Sequence, residues 1–457
     1  MFGRKNEERA SRLKRKLVAE KAERERLERE LKRSELQREQ ADTQLRSQSA
    51  RAETLKESLR GRDEKARDEL VRVRRESKQK LDASRNAIRP IPRIHAFVRA
   101  CLAAREQLSA DAYVSHDVLP LQAVHALAST TGGFRMCDAI EIPSFTGRVL
   151  PASWNPEVLA MIDAASEGFL GRCDRMLTIG PSLAEQLQGF DRRVHMIENF
   201  RYRETVTPNT VLRERCGLRD GDRIMLSVGH VAAGFEIAID ALAQLPAQFH
   251  LVTLGSFPRE GHREMLEDRA ARLGLGARVH FLEPVPYGEL TSTAAGADCG
   301  IIVRDVSIPN NRVSLPNRVF DLTASGLPIV STDVPDIASF LAANGHGRVV
   351  AEQSADELAR AVLAVVSAGA ALRSKALEAA DRCCWENQEV RIMEAFDGAG
   401  SVTFLGLGKL RLNNRTRRLA LTLAQNGIKV AIADPHIALE VEPEHPNIRM
   451  VKIDIPG

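Results

Sequence analysis

The chain has 457 residues, of which 44% are hydrophobic, 28% charged and only 4% aromatic. This length provides for two or three domains, and the hydrophobic share excludes a purely disordered or fibrous chain. No stretch approaches ~18 uninterrupted apolar residues, and the N-terminal sequence MFGRKNEERASRLKRK lacks the apolar core of a secretory signal. We therefore expect a cytoplasmic protein whose seven Cys, which have no metal-binding spacing, are reduced thiols.

Two segments of opposite charge make up the chain. Residues 1–88 contain 27 Lys or Arg against 18 Asp or Glu, whereas the remainder contains 38 against 43. Within 1–88, apolar residues such as Leu13, Leu17, Leu27 and Leu31 recur at heptad spacing, which predicts a coiled-coil helix and a homo-oligomer. The alternatives are a solvated single helix with Glu–Arg pairs and a basic face that contacts anionic lipid. The alternating charge signs disfavour a nucleic-acid binder.

A globular region is expected from Arg89 onward, because Pro90 and Pro92 are predicted to stop the N-terminal helix. Strand and helix patterns then alternate through residues 89–200. The predicted strands are 112–117, 135–142, 175–180 and 194–199. Strict alternation predicts a parallel sheet with right-handed crossovers.

A second alternating series occupies residues 201–384. The predicted strands are 223–229, 250–256, 279–284, 299–304, 328–334 and 347–350. This series predicts a second doubly wound α/β domain. Since ligands of open α/β sheets bind at the carboxyl ends of the strands, we expect a ligand site in the cleft between the two domains.

The segment SLPNRVFDLTASGLPIVSTDVPDI (314–337) resembles the Ser-x-Pro-Asn-Lys-x-Phe-Glu stretch and Gly-Leu-Pro-Val turn of family 4 retaining glycosyltransferases. The pieces DAYVSHDVLPLQAVHALA, CDAIE, LTIGPSLAEQL and MIENF agree with that family in the same order. Trp385-Glu386 is similar to the Trp-Glu of its final helix, which predicts a crossover helix over 385–400. The resemblance covers residues 90–396 and implies the GT-B fold, which consists of two Rossmann-like α/β domains. It also implies transfer of a sugar from a UDP- or GDP-sugar to a glycan or lipid-linked acceptor, without metal or cofactor.

The resemblance implies donor-binding residues in the second domain. Asp321 stands where the family has a Glu that contacts the ribose, one methylene longer than Asp. The residues expected at or near a helix N-terminus, where backbone N–H groups favour phosphate, are Ser314, Leu315, Asn317 and Arg318. An ordinary strand-to-helix turn is the alternative interpretation of this stretch.

The loop after the first strand of the second domain departs from the family. The family has Gly-Arg and then Lys-Gly there, two cations on the diphosphate, whereas this chain has Gly229-His230 followed by VAAG. Both cations are absent, and His230, with an ordinary pKa of about 6.5, is a weak substitute. Gly229 and His230 remain candidate donor-binding residues.

The candidate catalytic residues lie in the first domain. The family's His in Asp-x-His-Glu is Ile140 here, flanked by Asp138 and Glu141. His116, at the carboxyl end of a predicted strand, is a candidate to serve instead. The alternative for His116 is a buried histidine that is satisfied by its neighbours.

Residues 401–457 resemble the strand-helix-strand opening of a GT-B first domain, whereas residues 1–88 occupy the place where that opening normally stands. The tail either completes the first domain by circular permutation, with its strands inserted beside strand 112–117 within the chain or swapped between chains, or begins another module. We favour permutation because VTFLGL and KVAIAD are nearly continuous apolar strands that need cover on both faces. Permutation would place three tail residues in the acceptor cleft. They are Asn413, Asn414 and Arg415.

The sequence therefore predicts a cytoplasmic retaining glycosyltransferase, with a location at the inner face of the membrane left open. A catalytically inactive GT-B scaffold organised by the coiled coil is an alternative, because the family's Arg, Lys and His are absent. A nucleotide-sugar epimerase of the same fold is a further alternative.

Overall fold

The computed structural model describes residues 90–455 except 145–147, 149–154, 191–192, 352–353, 411–412 and 437–443, together with positions 18, 20, 21, 23, 24, 26, 32, 33 and 51. The chain divides into two compact units, residues 1–83 and 84–457. The described positions of the first unit are helical. The predicted coiled-coil pairing of 1–88 falls mainly outside the described residues and stays a prediction.

Helices and strands alternate in the first part of the second unit. These elements are α1 (Pro90–Ala103), α2 (Arg105–Leu108), β1 (Ala112–His116), α3 (Leu121–Thr131), β2 (Phe134–Ala139), α4 (Pro156–Leu170), β3 (Arg175–Thr178), α5 (Pro181–Gln188) and β4 (Arg193–Met196). The two prolines predicted to stop a helix, Pro90 and Pro92, lie in the first turn of α1. Proline is tolerated there because the first N–H groups of a helix have no intrahelical acceptor.

The alternation continues through a second series. Its elements are α6 (Val211–Cys216), β5 (Arg223–Val228), α7 (Glu236–Ala243), β6 (Phe249–Leu254), α8 (His262–Arg272), β7 (Val279–Leu282), α9 (Leu290–Ala294), β8 (Cys299–Ile302), α10 (Pro309–Arg312), α11 (Asn317–Ala324), β9 (Ile329–Thr332), α12 (Pro335–Asn344), β10 (Gly347–Val350) and α13 (Ala355–Arg382). Every strand predicted between 223 and 350 is present. α13 consists of two helical stretches that meet at Gly369, whose φ and ψ of 22° and −95° are not helical.

The last described elements are α14 (Glu389–Ala395), β11 (Ser401–Leu405), α15 (Asn414–Gln425), β12 (Lys429–Asp434) and β13 (Ile448–Lys452). Among the described residues, the strands form two parallel sheets. The first has the order β13-β12-β11-β1-β2-β3-β4, and the second β10-β9-β8-β5-β6-β7. β11 pairs directly with β1, from Ala112 opposite Val402 to Ser115 opposite Leu405. The tail strands of this chain therefore lie in its own first sheet.

Apolar side chains bury both faces of the tail strands. Val402 and Phe404 of β11 pack in a core with Leu419 and Leu423 of α15. The opposite face presents residues such as Leu405, which packs in a core that includes α1 and α3. Strands covered on both faces are expected to read as nearly continuous apolar runs, which explains the sequence pattern of β11 and β12.

After α13 the chain returns to the first sheet through Trp385, which is 2% exposed. Its backbone N–H donates to the carbonyl of Arg201 (2.7 Å), and its indole Nε1 donates to Thr422 Oγ1 (2.9 Å). Through the bond to Thr422, Trp385 attaches the segment between the two sheets to the tail helix α15. No helix in the described part of the chain has both the length and the apolar character needed to cross a membrane.

Candidate functional site

The carboxyl ends of the two sheets face one another across a crevice. The backbone N–H of Ile142, after β2, donates to Asn310 Oδ1, after β8 (3.0 Å). The N–H of Ser182, at the start of the helix after β3, donates to the Asp336 carboxylate, at the start of the helix after β9 (3.2 Å). Since each contact joins residues that follow a strand, the ligand-binding edges of both sheets line the same crevice.

The second sheet has a topological switch point between β5 and β8. From β5 the chain proceeds outward to β6 and β7, then returns to β8 on the other side of β5. Loops that leave adjacent strands in opposite directions leave a crevice between them, and ligands of open α/β sheets bind there. Gly229 follows β5 at this point, and Arg304 follows β8.

A close contact between two glycines shapes the loop after β5. Gly229 has φ +83°, in the left-handed region that favours glycine. A Cβ atom on Gly255 would lie 1.7 Å from the Gly229 carbonyl oxygen, so only glycine fits there. His230 is exposed, and its Nδ1 lies 2.6 Å from Ser256 Oγ. The turn therefore keeps its backbone close to the switch point.

Helix α11 begins on the other side of this crevice. Its first residue, Asn317, is exposed, whereas the side chain of Leu315 is 4% exposed and packs in the core. The guanidinium of Arg318 reaches the loop after β5, where Nη2 donates to the carbonyl of His230 (2.9 Å). The predicted residues Gly229, His230, Asn317 and Arg318 are thus brought together.

Arg304 is a second cation beside α11, and it is not among the site residues predicted from the sequence. Its Nη2 donates to Ser314 Oγ (2.9 Å) and to Asn311 Oδ1 (2.6 Å). Burial, with a contribution from the nearby charge of Arg304, lowers the pKa of Arg318 to about 10. The signal was present in the sequence, because Arg304 ends the predicted strand CGIIVR at the edge where ligands bind.

Asp321, predicted to contact a ribose, lies on the buried side of α11 and is 7% exposed. Its Oδ1 accepts a hydrogen bond from Arg201 Nη1 (3.1 Å). The guanidinium of Arg201 also stacks 4.1 Å from the ring centroid of Tyr287. Burial raises the pKa of Asp321, and Arg201 opposes that rise. Arg201 could not be predicted as the partner of Asp321, since the two residues are 120 positions apart.

In the first sheet, a buried ion pair joins the tail to β2. The guanidinium of Arg415, at the start of α15, lies 2.7 Å from Asp138 Oδ1, and Arg415 Nη1 also donates to the carbonyl of Ile197. Arg415 is 3% exposed and Asp138 is 1% exposed. Burial alone would raise the pKa of Asp138, but Arg415, with a contribution from His116, holds it at about 2. The expectation that Arg415 lines an acceptor cleft is therefore not met by its side chain, since its donors face the protein.

His116 lies beside this ion pair at the end of β1. Its Nδ1 is 3.6 Å from Asp138 Oδ2, and its Nε2 is 3.1 Å from Asn413 Nδ2. Asn413 Oδ1 caps α15 by accepting from the Thr416 N–H (3.0 Å), so the Nδ2 group must face His116. Neutral His116 therefore accepts at Nε2 and carries its proton on Nδ1, toward Asp138. Asn414, the first residue of α15, is half-buried.

The loop after β1 carries backbone strain. Asp117 has φ +64°, the one described non-glycine residue with positive φ. Its carboxylate is bound by Arg148, with Nη2 2.8 Å from Oδ1, and Arg148 Nη1 also lies 3.1 Å from Glu141 Oε2. The side chain of Glu141 is 45% exposed. Burial raises the pKa of Glu141, and Arg148 opposes the rise. Glu141 is thus the most exposed of the three predicted catalytic side chains.

Two parallel-sheet α/β domains with facing carboxyl edges define the GT-B class of fold. Residues 209–382, which include the switch point and α11, match the family model described as "Glycosyl transferases group 1". A D-inositol 3-phosphate glycosyltransferase from Nocardia farcinica is 24% identical over 285 residues, which are 57% of this chain and 61% of that protein. The chain therefore spans about three fifths of the length of that relative.

Solved structures support the same class. Sucrose-phosphate synthase from Thermosynechococcus elongatus superimposes with a TM-score of 0.54 and 19% identity, covering 65% of this chain and 76% of that one. HepE from Anabaena, in complex with UDP-glucose, superimposes with a TM-score of 0.52 and 17% identity, covering 65% and 80%. Identity this low shows the fold. The family match adds that residues 209–382 are similar to group 1 glycosyl transferases.

Proposed function

We propose that the chain transfers a sugar from a nucleotide-sugar donor to a glycan or lipid-linked acceptor with retention of configuration. The observation that carries this proposal is the switch-point crevice within the matched segment, where the Gly229 turn, the N-terminus of α11 and the Arg318 guanidinium converge. Cleavage of the sugar–phosphate bond leaves negative charge on the departing diphosphate. Donors that are already in position stabilise this charge, so the proposal includes no metal or cofactor.

In this proposal Asp321 binds the ribose hydroxyls of the donor. An ionised carboxylate offers about four acceptor positions, so a bond from Arg201 to Oδ1 leaves others for hydroxyl donors. Arg201 then has a positioning role, because it fixes the carboxylate and opposes the rise in the pKa of Asp321 that burial causes.

On the acceptor side, we assign Glu141 to the reacting sugar and the incoming hydroxyl, and His116, whose two ring nitrogens face Asn413 and Asp138, to positioning. Asp138 and Arg415 act as positioning residues, since both are buried and Asp138 holds the proton-bearing nitrogen of His116. Asn413 holds the other ring nitrogen, and Asn414 lies beside it at the start of α15.

Calorimetric titration of the full chain with UDP, GDP and their sugars tests the donor site. We expect binding in the micromolar range to one nucleotide and a loss of about 10-fold or more in Asp321→Asn, which keeps the side-chain shape but removes the charge. Asp220→Asn is the control, because Asp220 is exposed and lies outside the crevice. Thermal unfolding of both variants separates lost binding from lost folding.

Two other functions are distinguished by the same experiments. An inactive scaffold is favoured by the absence of Arg and Lys after β5 and by Ile140 in place of His, and it predicts no binding of any nucleotide. If the chain is an epimerase, it binds the nucleotide-sugar and converts the labelled compound without an acceptor. The anomeric configuration of the transferred sugar, measured by NMR, tests retention.

We further propose that residues 1–88 form a coiled-coil homo-oligomer and that 401–457 completes the first domain by circular permutation. The direct pairing of β11 with β1 supports the second point. A lipid-linked acceptor would bring this cytoplasmic enzyme to the inner face of the membrane. Light scattering of the full chain, with and without 1–83, tests the oligomer.

A further inference from the structure

Arg304 is the first charged residue after β8, which ends at Ile302 beside the switch point. β8 and β5 are adjacent in the sheet, so the residues that follow them border the same crevice. The loop after β5 contributes Gly229 and an exposed His230 but no permanent cation. Any fixed positive charge on this side of the crevice must therefore come from another element.

The local structure holds Arg304 in a defined position. Its backbone N–H donates to Thr332 Oγ1 (3.0 Å), which ties the residue to the end of β9. Its Nη2 donates to Ser314 Oγ (2.9 Å), three residues before the first residue of α11. The side chain is half-buried, so its charge is only partly screened by solvent.

Arg304 and Arg318 form a pair of like charges beside the same helix N-terminus. Arg318 contacts the loop after β5 through the carbonyl of His230, and Arg304 contacts Ser314. The charge of Arg304 disfavours the charged form of Arg318, and burial lowers the pKa of both. The carboxylates of Asp321 and Glu141 favour the charged forms of Arg318 and Arg304, respectively, and an anion bound between the two guanidinium groups would offset their mutual repulsion further.

We propose that Arg304 is a diphosphate-binding residue that works as a pair with Arg318, in place of the two cations missing after β5. This inference rests on the proposed function and identifies an additional residue of the same site. Guanidinium groups bind phosphate oxygens in a bidentate manner, which suits a diphosphate held between α11 and β8. Glu141, which follows β2 of the first sheet, interacts favourably with Arg304 and opposes the effect of burial on its pKa.

Titration of the full chain with UDP and GDP, and with uridine and guanosine, tests this role. In Arg304→Gln we expect the Kd of the diphosphate to rise by about 10- to 100-fold while the Kd of the nucleoside stays unchanged. Arg304→Lys keeps the charge without the planar fork and should lose less. Arg312→Gln is the control, because this arginine, at the end of α10, is exposed and donates to the carbonyl of Val306.

The outcomes separate the two claims. If the wild-type chain binds neither UDP nor GDP, the proposed function and the role of Arg304 both fail. If it binds one of them and Arg304→Gln binds it equally well, the role of Arg304 alone is overturned. An equal loss of diphosphate and nucleoside affinity would show a structural role and also overturns it. If Arg304→Gln does not fold, the selective loss is measured in Arg304→Lys, and an unselective result there counts against the proposal.

Discussion

At the scale of residues, buried charges connect segments that are far apart in sequence. Arg415 pairs with Asp138 across 277 positions, and Arg201 pairs with Asp321 across 120. Removing one partner of such a pair leaves a buried charge without compensation, which costs more than the pair itself contributes. Asp138, Asp321 and Arg415 were predicted from the sequence as catalytic or ligand-binding residues, yet the structure gives each of them a partner within the protein. Spacing along the chain carries no signal for such a partner.

We predict that Asp138→Asn lowers the free energy of unfolding by about 3–5 kcal/mol at pH 7, because Arg415 loses its buried partner. The folded pKa of Asp138, about 2, lies below the ordinary value of 3.8. Its ionisation therefore contributes about 2 kcal/mol above pH 4, and this is lost as the pH falls toward 2. Urea titrations should show that the difference in the free energy of unfolding between wild type and Asp138→Asn becomes smaller below pH 4. A gap that stays constant down to pH 3 would contradict the assignment.

We predict that Gly255→Ala displaces the turn after β5, because its Cβ would meet the Gly229 carbonyl oxygen at 1.7 Å. The Arg318 guanidinium bonds to the next carbonyl along this turn, that of His230. Nucleotide affinity should fall by about 10-fold or more, as a misplaced donor no longer meets the diphosphate. Gly276→Ala is the matched control, since a Cβ there meets nothing within 4 Å. Equal affinities of the two variants by calorimetry would argue against this turn as part of the site.

At the scale of elements, the strands could be predicted because their apolar runs are separated by Gly, Pro and polar turns. The sequence analysis predicts no helix over Pro90–Ala103, because proline commonly ends a helix. Both prolines, however, fit the first turn of a helix. The tail could be recognised as strand-helix-strand, and its neighbour, strand 112–117, was expected from the family resemblance rather than from the residues alone. In the structure that neighbour is β1, and the apolar faces of β11 and β12 are buried on both sides.

We predict that Phe404→Ala, in the middle of β11, lowers the free energy of unfolding by about 3–5 kcal/mol, since the side chain is 1% exposed in the core of the first sheet. Val390→Ala, at a position 69% exposed on α14, is the control and should change it by less than about 0.5 kcal/mol. Urea denaturation measures both. A loss below about 1 kcal/mol for Phe404→Ala would mean that the tail is not integral to the fold.

At the scale of the whole molecule, the site depends on how two sheets meet rather than on any one motif. A Cβ on Gly180 would lie 2.6 Å from Asp336 Oδ2, which shows how closely the sheets approach beside the crevice. The family resemblance directed attention to 314–337, and this segment lies within the residues 209–382 that match the family model. Arg304 was missed because the resemblance places the cations after β5, whereas this chain carries its cation after β8.

The central claim is that a nucleotide diphosphate binds in the crevice between the two sheets. A crystal structure of the full chain with a saturating UDP- or GDP-sugar tests it most directly. We predict that the diphosphate lies within hydrogen-bonding distance of Arg318 and the N-terminus of α11, with the ribose beside Asp321. A nucleotide bound elsewhere on the chain, or a crevice that stays empty at saturation, would contradict it.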